Sequence, residues 1–232
     1  MSWPERLRAS KFEAQRFAGW DFEEAVSVVR LHPLDRVAGT FAIGVTRVES
    51  VESRVRAVRL AGLRAVAVDH DAFAMRRLFA DCDAIIDVGA ERATVHCFGA
   101  AGPTSFVAYV GGATITRGIA SELSIDVPTA ERRKRILGCA GAGVTASEEV
   151  VAAIASLVDR ARARVSIERI AVTGNGARLP NFARALEEAT GAVTGLPVPE
   201  VLHTAAYPED VVRAAAPDWT LAASLALWGA AA

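Results

Sequence analysis

The run Ala84-Ile85-Ile86-Asp87-Val88-Gly89 constrains this chain more than any other segment. It is apolar on both faces of an extended backbone, the pattern of a strand buried inside a sheet. Its one ionisable residue, Asp87, comes near the end, and Gly89 then permits a tight turn. Residues 94–98 and 105–110 read as the next two strands, with a second turn over 99–103, so a three-stranded antiparallel meander is expected. Helical patterns follow at 115–123, 129–137 and 147 to about 165, the last with Ser147 as cap and Glu148 and Glu149 in its first turn. A second short apolar strand, 169–173, ends in Gly174-Asn175-Gly176. A helix over 180–189, a strand over 193–196 and a final helix over 219–228 complete the chain. A meander followed by alternating helices and strands is an α/β order with a mixed sheet.

Upstream lies a smaller α+β unit. Residues 4–17 read as a helix with Pro4 in its first turn. Strands are expected at 26–31 and 40–45, joined through a polar turn around Asp35 and Gly39. Val51, Val55, Val58 and Ala61 recur at helical spacing over 49–61, and Gly62 suits the C-terminal cap. A strand over 64–68 and a helix over 72–79 close the unit, which sets the division at 1–81 and 82–232.

Composition narrows the function classes. With 52% hydrophobic residues in 232, the chain can bury a sizeable core, and a net charge of −1 lacks the basic surplus of a protein that grips nucleic acid. No stretch reaches the roughly 18 to 20 apolar residues of a membrane-spanning helix. The Ala-rich end, 221–232, reads as a buried helix and carries no basic residue for a membrane surface, so direct membrane insertion is not expected. Residues 1–17 show no signal-peptide core, which makes the cytoplasm the expected location. Cys82, Cys97 and Cys139 fit neither a redox pair nor a zinc site and read as free thiols. Asp69-His70-Asp71 looks like a metal triplet, but neighbouring side chains of an extended segment point to opposite faces. There is no nucleophile elbow and no Walker lysine loop.

Three features remain that could carry chemistry. Asp87-Val88-Gly89-Ala90 and Thr173-Gly174-Asn175-Gly176-Ala177 are glycine turns at the ends of apolar strands, where bare backbone N–H groups can cradle phosphate or lie against a nucleoside. Asp87 is a costly carboxylate to bury unless it is paired or holds a cation, as in orienting hydrated Mg²⁺, although a turn-capping role is equally open to it. Glu131 and Lys134, three apart on one helix face, either form a salt bridge or offer an acceptor and a donor to the two hydroxyls of a ribose.

In this order, the motifs resemble the PilM-like family of actin-like ATPases, which is related to FtsA. Phe12-Glu13-Ala14-Gln15-Arg16-Phe17 with Asp21-Phe22-Glu23-Glu24-Ala25 is similar to the stretch leading into that family's inserted subdomain. Ala61-Gly62-Leu63, running on to Val68-Asp69, resembles its next strand. Asp87-Val88-Gly89-Ala90 resembles the second phosphate loop, and Gly111-Gly112 with Ile115 and Thr116 a turn into a helix. Glu131-x-x-Lys134 falls at the ribose position, and the run from Thr173 to Pro180 at the adenosine loop.

The resemblance implies an actin-like, ribonuclease H-like mixed sheet, with 18–81 as the inserted subdomain. It implies ATP with Mg²⁺, held by Asp87 through water, Gly89, Ala90, Thr94, Gly111, Gly112, Glu131, Lys134, Gly174, Asn175, Gly176 and Arg178. The family's first phosphate loop lies in a hairpin ahead of the inserted subdomain. This sequence starts after that point, so half of a nucleotide clamp is expected, with Glu91 and Arg92 where the family carries Thr. The implied function is a cytoplasmic scaffold of type IV pilus, secretion or DNA-uptake assembly. It would hold the cytoplasmic tail of a PilN-like inner-membrane protein, with ATP as a structural ligand, and leave room for self-association. The alternatives are a superfamily ATPase or small-molecule kinase, for which no acceptor pocket is legible, and an FtsA-like division protein.

Overall fold

A computed structural model describes residues 2–17, 27–35, 39–99, 102–196 and 207–228. The acidic stretch 21–25, the tip of the turn at 100–101 and the end of the chain at 229–232 lie outside the described residues. The chain forms two compact units, Met1–His70 and Asp71–Ala232.

In the first unit, helix α1 (Trp3–Phe17) precedes an antiparallel pair, β1 (Ser27–Asp35) and β2 (Thr40–Arg47), whose register shifts between Pro33 and Asp35. Trp3 meets the Phe41 ring edge-on at 5.9 Å between centroids, and the Arg6 guanidinium stands 5.0 Å over the same ring. Helix α2 (Val48–Leu60) fully buries none of its residues. The strand expected over 64–68 does not form: 63–70 carries no regular structure. Its β-branched pattern favours an extended chain, but a strand also needs a neighbour for its backbone groups, and no described strand of this unit lies beside it.

The second unit is built on the segment that reads as a buried strand. Helix α3 (Asp71–Arg76) comes first, then β3 (Ala84–Val88), β4 (Ala93–Gly99) and β5 (Gly102–Ala108). Helices α4 (Gly112–Leu123), α5 (Val127–Leu137) and α6 (Val144–Arg162) lead to β6 (Arg169–Thr173). A 3-10 turn (Asn175–Arg178), α7 (Phe182–Thr190), β7 (Val193–Gly195) and α8 (Glu209–Ala226) follow. The sheet order is β5-β4-β3-β6-β7, with β3 antiparallel to β4 and parallel to β6.

Alternation along β3 divides the core. Ala84, Ile86 and Val88 point to the face covered by α4, α6 and α7, where Ile115, Ile154 and Phe182 are buried. Ile85 points to the other face and packs with Met75, Phe79 and Ala171. Asp87 shares that second face. Met75 of α3 packs under this face, and the two compact units part at 70/71, against the expected 81/82.

Two helix ends differ from expectation. Helix α6 starts at Val144 behind Gly143 (φ 87°), and Ser147 is buried inside it rather than capping it. Positive φ at Gly143, together with its N–H donating to Glu122 Oε2 at 2.7 Å, outcompetes the serine as a start. Helix α8 runs from Glu209 straight through Pro217, whereas the expected final helix spans 219–228. The Pro217 carbonyl accepts from Thr173 Oγ1 and Gly174 N, both at 3.1 Å, so tertiary contacts hold the helix across the missing N–H. Phe182 is fully enclosed, and Phe182→Ala should lower the free energy of unfolding by about 3 to 5 kcal/mol in chemical denaturation.

Candidate functional site

A cavity of about 1000 Å³ opens in the second unit where β3 and β6 end side by side. Register pairs Asp87 with Thr173, so the two glycine turns that follow these parallel strands leave the sheet together. The turn after β3 and the 3-10 turn after β6 form the floor. Helices α4 and α5 form one wall, and Pro217, Asp218 and Leu221 of α8 the other.

The floor is too crowded for side chains. Gly174 has φ +81°, and a Cβ there would lie 2.4 Å from Asp87 Oδ1 and 2.7 Å from the Val88 carbonyl oxygen. A Cβ on Gly111 would lie 2.4 Å from the Gly89 carbonyl oxygen. Gly174→Val would therefore disrupt the β3–β6 junction itself, and it cannot serve as a binding variant that leaves the fold intact.

Of the residues expected to meet ligand, Asp87, Gly89, Ala90, Gly112, Glu131, Lys134, Gly174, Asn175, Gly176 and Arg178 line this one cavity. Thr94 and Gly111 do not. Thr94 is buried opposite Asp87 on β4, and Gly111 lies behind the turn. The cavity also draws in Arg117, Arg135 and Asp218, which carry no motif; only the tertiary approach of α4, α5 and α8 brings them here.

The hydrogen bonds reassign several roles. Gly89 N–H donates to the Arg92 carbonyl at 2.9 Å, closing the turn, and so does not face a phosphate. The first N–H groups of α4 are likewise taken: Gly112 donates to Gly89 O at 3.0 Å and Ala113 to Ala90 O at 2.8 Å. Among the described residues, Ala90 N–H has no protein acceptor, which leaves it open to an anion.

Lys134 is 6% exposed, and its ammonium donates to Gly112 O at 2.9 Å, Thr116 Oγ1 at 2.8 Å and Glu131 Oε2 at 2.6 Å. All three of its protons are used within the protein, so the expected donor to ribose is a clamp between α4 and α5. Glu131 lies at the cavity wall and accepts further from Thr116 Oγ1 at 2.6 Å and Arg135 Nε at 3.0 Å. Partial burial pushes its pKa up, but the hydrogen bonds from Lys134, Thr116 and Arg135 and the Lys134 charge outweigh this and hold it at about 2. Asp87 is the opposite case. Burial and the nearby Asp71 carboxylate raise its pKa against the opposing pull of Arg92. A carboxylate in that state gains from a cation placed beside it. At the far end of the cavity, Arg178 is locked to Asp218 at 2.5 Å.

A family model described as cell division protein FtsA matches residues 84–225, from the first residue of β3 into α8. The chain belongs to the FtsA family. The match carries the whole cavity of this FtsA-family chain except Met75. Its fold is shared with the PilM-PilN type IV pilus biogenesis complex, at 24% identity and a TM-score of 0.77 over 99% of this chain and 73% of that one. Ethanolamine utilization protein EutJ from Carboxydothermus hydrogenoformans is 18% identical with a TM-score of 0.62, over 79% of this chain and 62% of EutJ. MreB 5 of Spiroplasma citri bound to AMPPNP is 13% identical with a TM-score of 0.56, over 80% of this chain and 66% of MreB 5. The fold is that of the actin-like ATPases, as the motif order implied. Among curated proteins, no sequence match is found.

Two measurements check the electrostatics. Lys134→Met leaves Glu131 and two oxygens of α4 without their shared donor, and should cost about 2 to 4 kcal/mol in chemical denaturation. Because its folded pKa is depressed, Glu131 contributes stability that is complete above its ordinary 4.5 and is lost as pH falls toward about 2. Glu131→Gln should flatten that acid limb in a pH series of melting temperatures. Asp87 has the reverse sign, since its raised pKa penalises the ionised form. Asp87→Asn should raise the melting temperature at pH 7 in the absence of ligand, with the gain shrinking as acid protonates the parent carboxyl.

Proposed function

We propose that this chain is an actin-like scaffold that binds ATP with Mg²⁺ as a structural ligand. It works in the cytoplasm, where it holds the tail of a PilN-like inner-membrane protein in type IV pilus or related assembly. The observation that carries the nucleotide part is the convergence of both glycine turns, Asp87 and Glu131 on one cavity of about 1000 Å³. That is room for a cofactor-sized ligand. The residues fit the group. Asp87 would hold hydrated Mg²⁺, and Ala90 N–H would meet a phosphate oxygen. Glu131 would accept from ribose, its orientation fixed by Lys134, and the turn from Gly174 to Arg178 would lie along the nucleoside. When bound, the nucleotide supplies charge and shape that stabilise one arrangement of the cavity walls; the chain's own residues bind and orient it.

The partner reading is supported by the likeness to the PilM-PilN complex, which extends over 99% of this chain. No helix among the described residues is long and apolar enough to cross a membrane. The match to the division family supports a second reading, a cell-division role built on the same nucleotide site.

Calorimetric titration of the whole chain with ATP and Mg²⁺ tests the site, and phosphate release tests turnover. Saturable binding with no acceptor-dependent turnover is expected, and Glu131→Ala should weaken ATP about tenfold, the scale of a lost charge-assisted hydrogen bond. Titration with a synthetic PilN cytoplasmic-tail peptide, with and without ATP, tests the partner. Capture of the peptide supports the pilus reading. No capture, together with binding to division-apparatus proteins, would move the chain to the second reading.

A further inference from the structure

The phosphate end of the cavity has little backbone to offer an anion. Its N–H groups at Gly89, Gly112 and Ala113 already serve carbonyls of the turn, and among the described residues of that turn that line the cavity only those of Ala90 and Glu91 have no protein acceptor. Charge for a polyphosphate must therefore come from side chains. The cations lining the cavity are unequally held. Lys134 has three protein acceptors at 2.6 to 2.9 Å, Arg178 holds Asp218 at 2.5 Å, and Arg135 holds Glu131 at 3.0 Å. Arg117 is held loosest. Its Nη1 lies 3.4 Å from both oxygens of Glu91 and its Nη2 3.5 Å from one, with side chains 59% and 71% exposed. An exposed pair of this kind is worth about 0 to 1 kcal/mol, so it can be exchanged at little cost. Arg117 stands on α4 and Glu91 on the turn after β3, and both line the cavity beside Ala90 and Asp87. A phosphate group presents more charge than a carboxylate and matches the guanidinium fork in a bidentate contact.

We propose that Arg117 reads the outer phosphates of the nucleotide and that Glu91 is its built-in competitor. Arg117 rests on Glu91 until a nucleotide arrives and then exchanges it for a di- or triphosphate. The site thereby discriminates by the number of phosphates, and Glu91 sets the threshold. This rests on the nucleotide reading above. It also turns Glu91, which by its sign alone only repels phosphate, into a holder of the cation that attracts it.

The test is calorimetric titration of the whole chain and of Arg117→Gln, Glu91→Gln and the double variant with adenosine, AMP, ADP and ATP in Mg²⁺ buffer. Both residues are exposed, and unchanged melting temperatures will confirm that the variants fold. Arg117→Gln should weaken ATP about tenfold while leaving adenosine within about twofold, and Glu91→Gln should tighten ATP about threefold, more at low salt. In the Arg117→Gln background, Glu91→Gln should have no such effect, because the competitor then has nothing to hold. An equal loss for adenosine and ATP in Arg117→Gln would overturn the proposal. So would tightening by Glu91→Gln that persists without Arg117, since that is direct repulsion. If the parent binds ATP and the variants match it, only the exchange fails; if the parent binds neither adenosine nor ATP, the nucleotide reading fails and the exchange with it.

Discussion

A lysine ammonium can leave water only if every one of its protons finds an acceptor, and the second unit is arranged around that demand at Lys134. The three acceptors come from two helices: Gly112 O and Thr116 Oγ1 on α4, and Glu131 Oε2 one turn earlier on Lys134's own α5. Meeting all three fixes the register of α5 against α4. It also orients Glu131, whose remaining oxygen is taken by Arg135. The first turn of α4 is itself pinned to the turn after β3 through Gly112 and Ala113. One desolvated charge thus connects the wall of the cavity to its floor.

The floor depends on a second constraint, the close approach of backbones. The ends of β3 and β6 come so near that Gly174 and Gly176 have no space for a Cβ against Val88. Glycine here is a requirement of packing as much as of any ligand. Asp87 lies at this junction, where burial and then the field of Asp71 destabilise its carboxyl when ionised. Proteins keep such groups where a ligand repays the cost. Stabilised Glu131 and destabilised Asp87 thus line one cavity with opposite shifts.

Much of this was legible in the residues. The double-sided apolar run at Ala84–Val88, the meander, the strand at Arg169–Thr173 and the intervening helices follow from hydrophobic period and glycine punctuation. Most of the expected site residues also converge. The misses share a cause. Ser147 and Pro217 carry local signals for a helix end, and in both places a long-range contact decided otherwise. The strand pattern over 64–68 gives an extended preference, but pairing is a property of neighbours. Lys134 reads as half of a surface pair until Gly112 and Thr116 of another helix are seen to enclose it.

The sequence by itself determined the order of elements, the buried central strand and the two turns without side chains, because period and glycine content act within a few residues. Only the tertiary structure decided which N–H groups are spent inside the turns and which carboxyl is strained or satisfied. It also decided which cations are held fast and which loosely. Those are questions of distance between α4, α5, α8 and the sheet, set by packing of residues far apart in the chain.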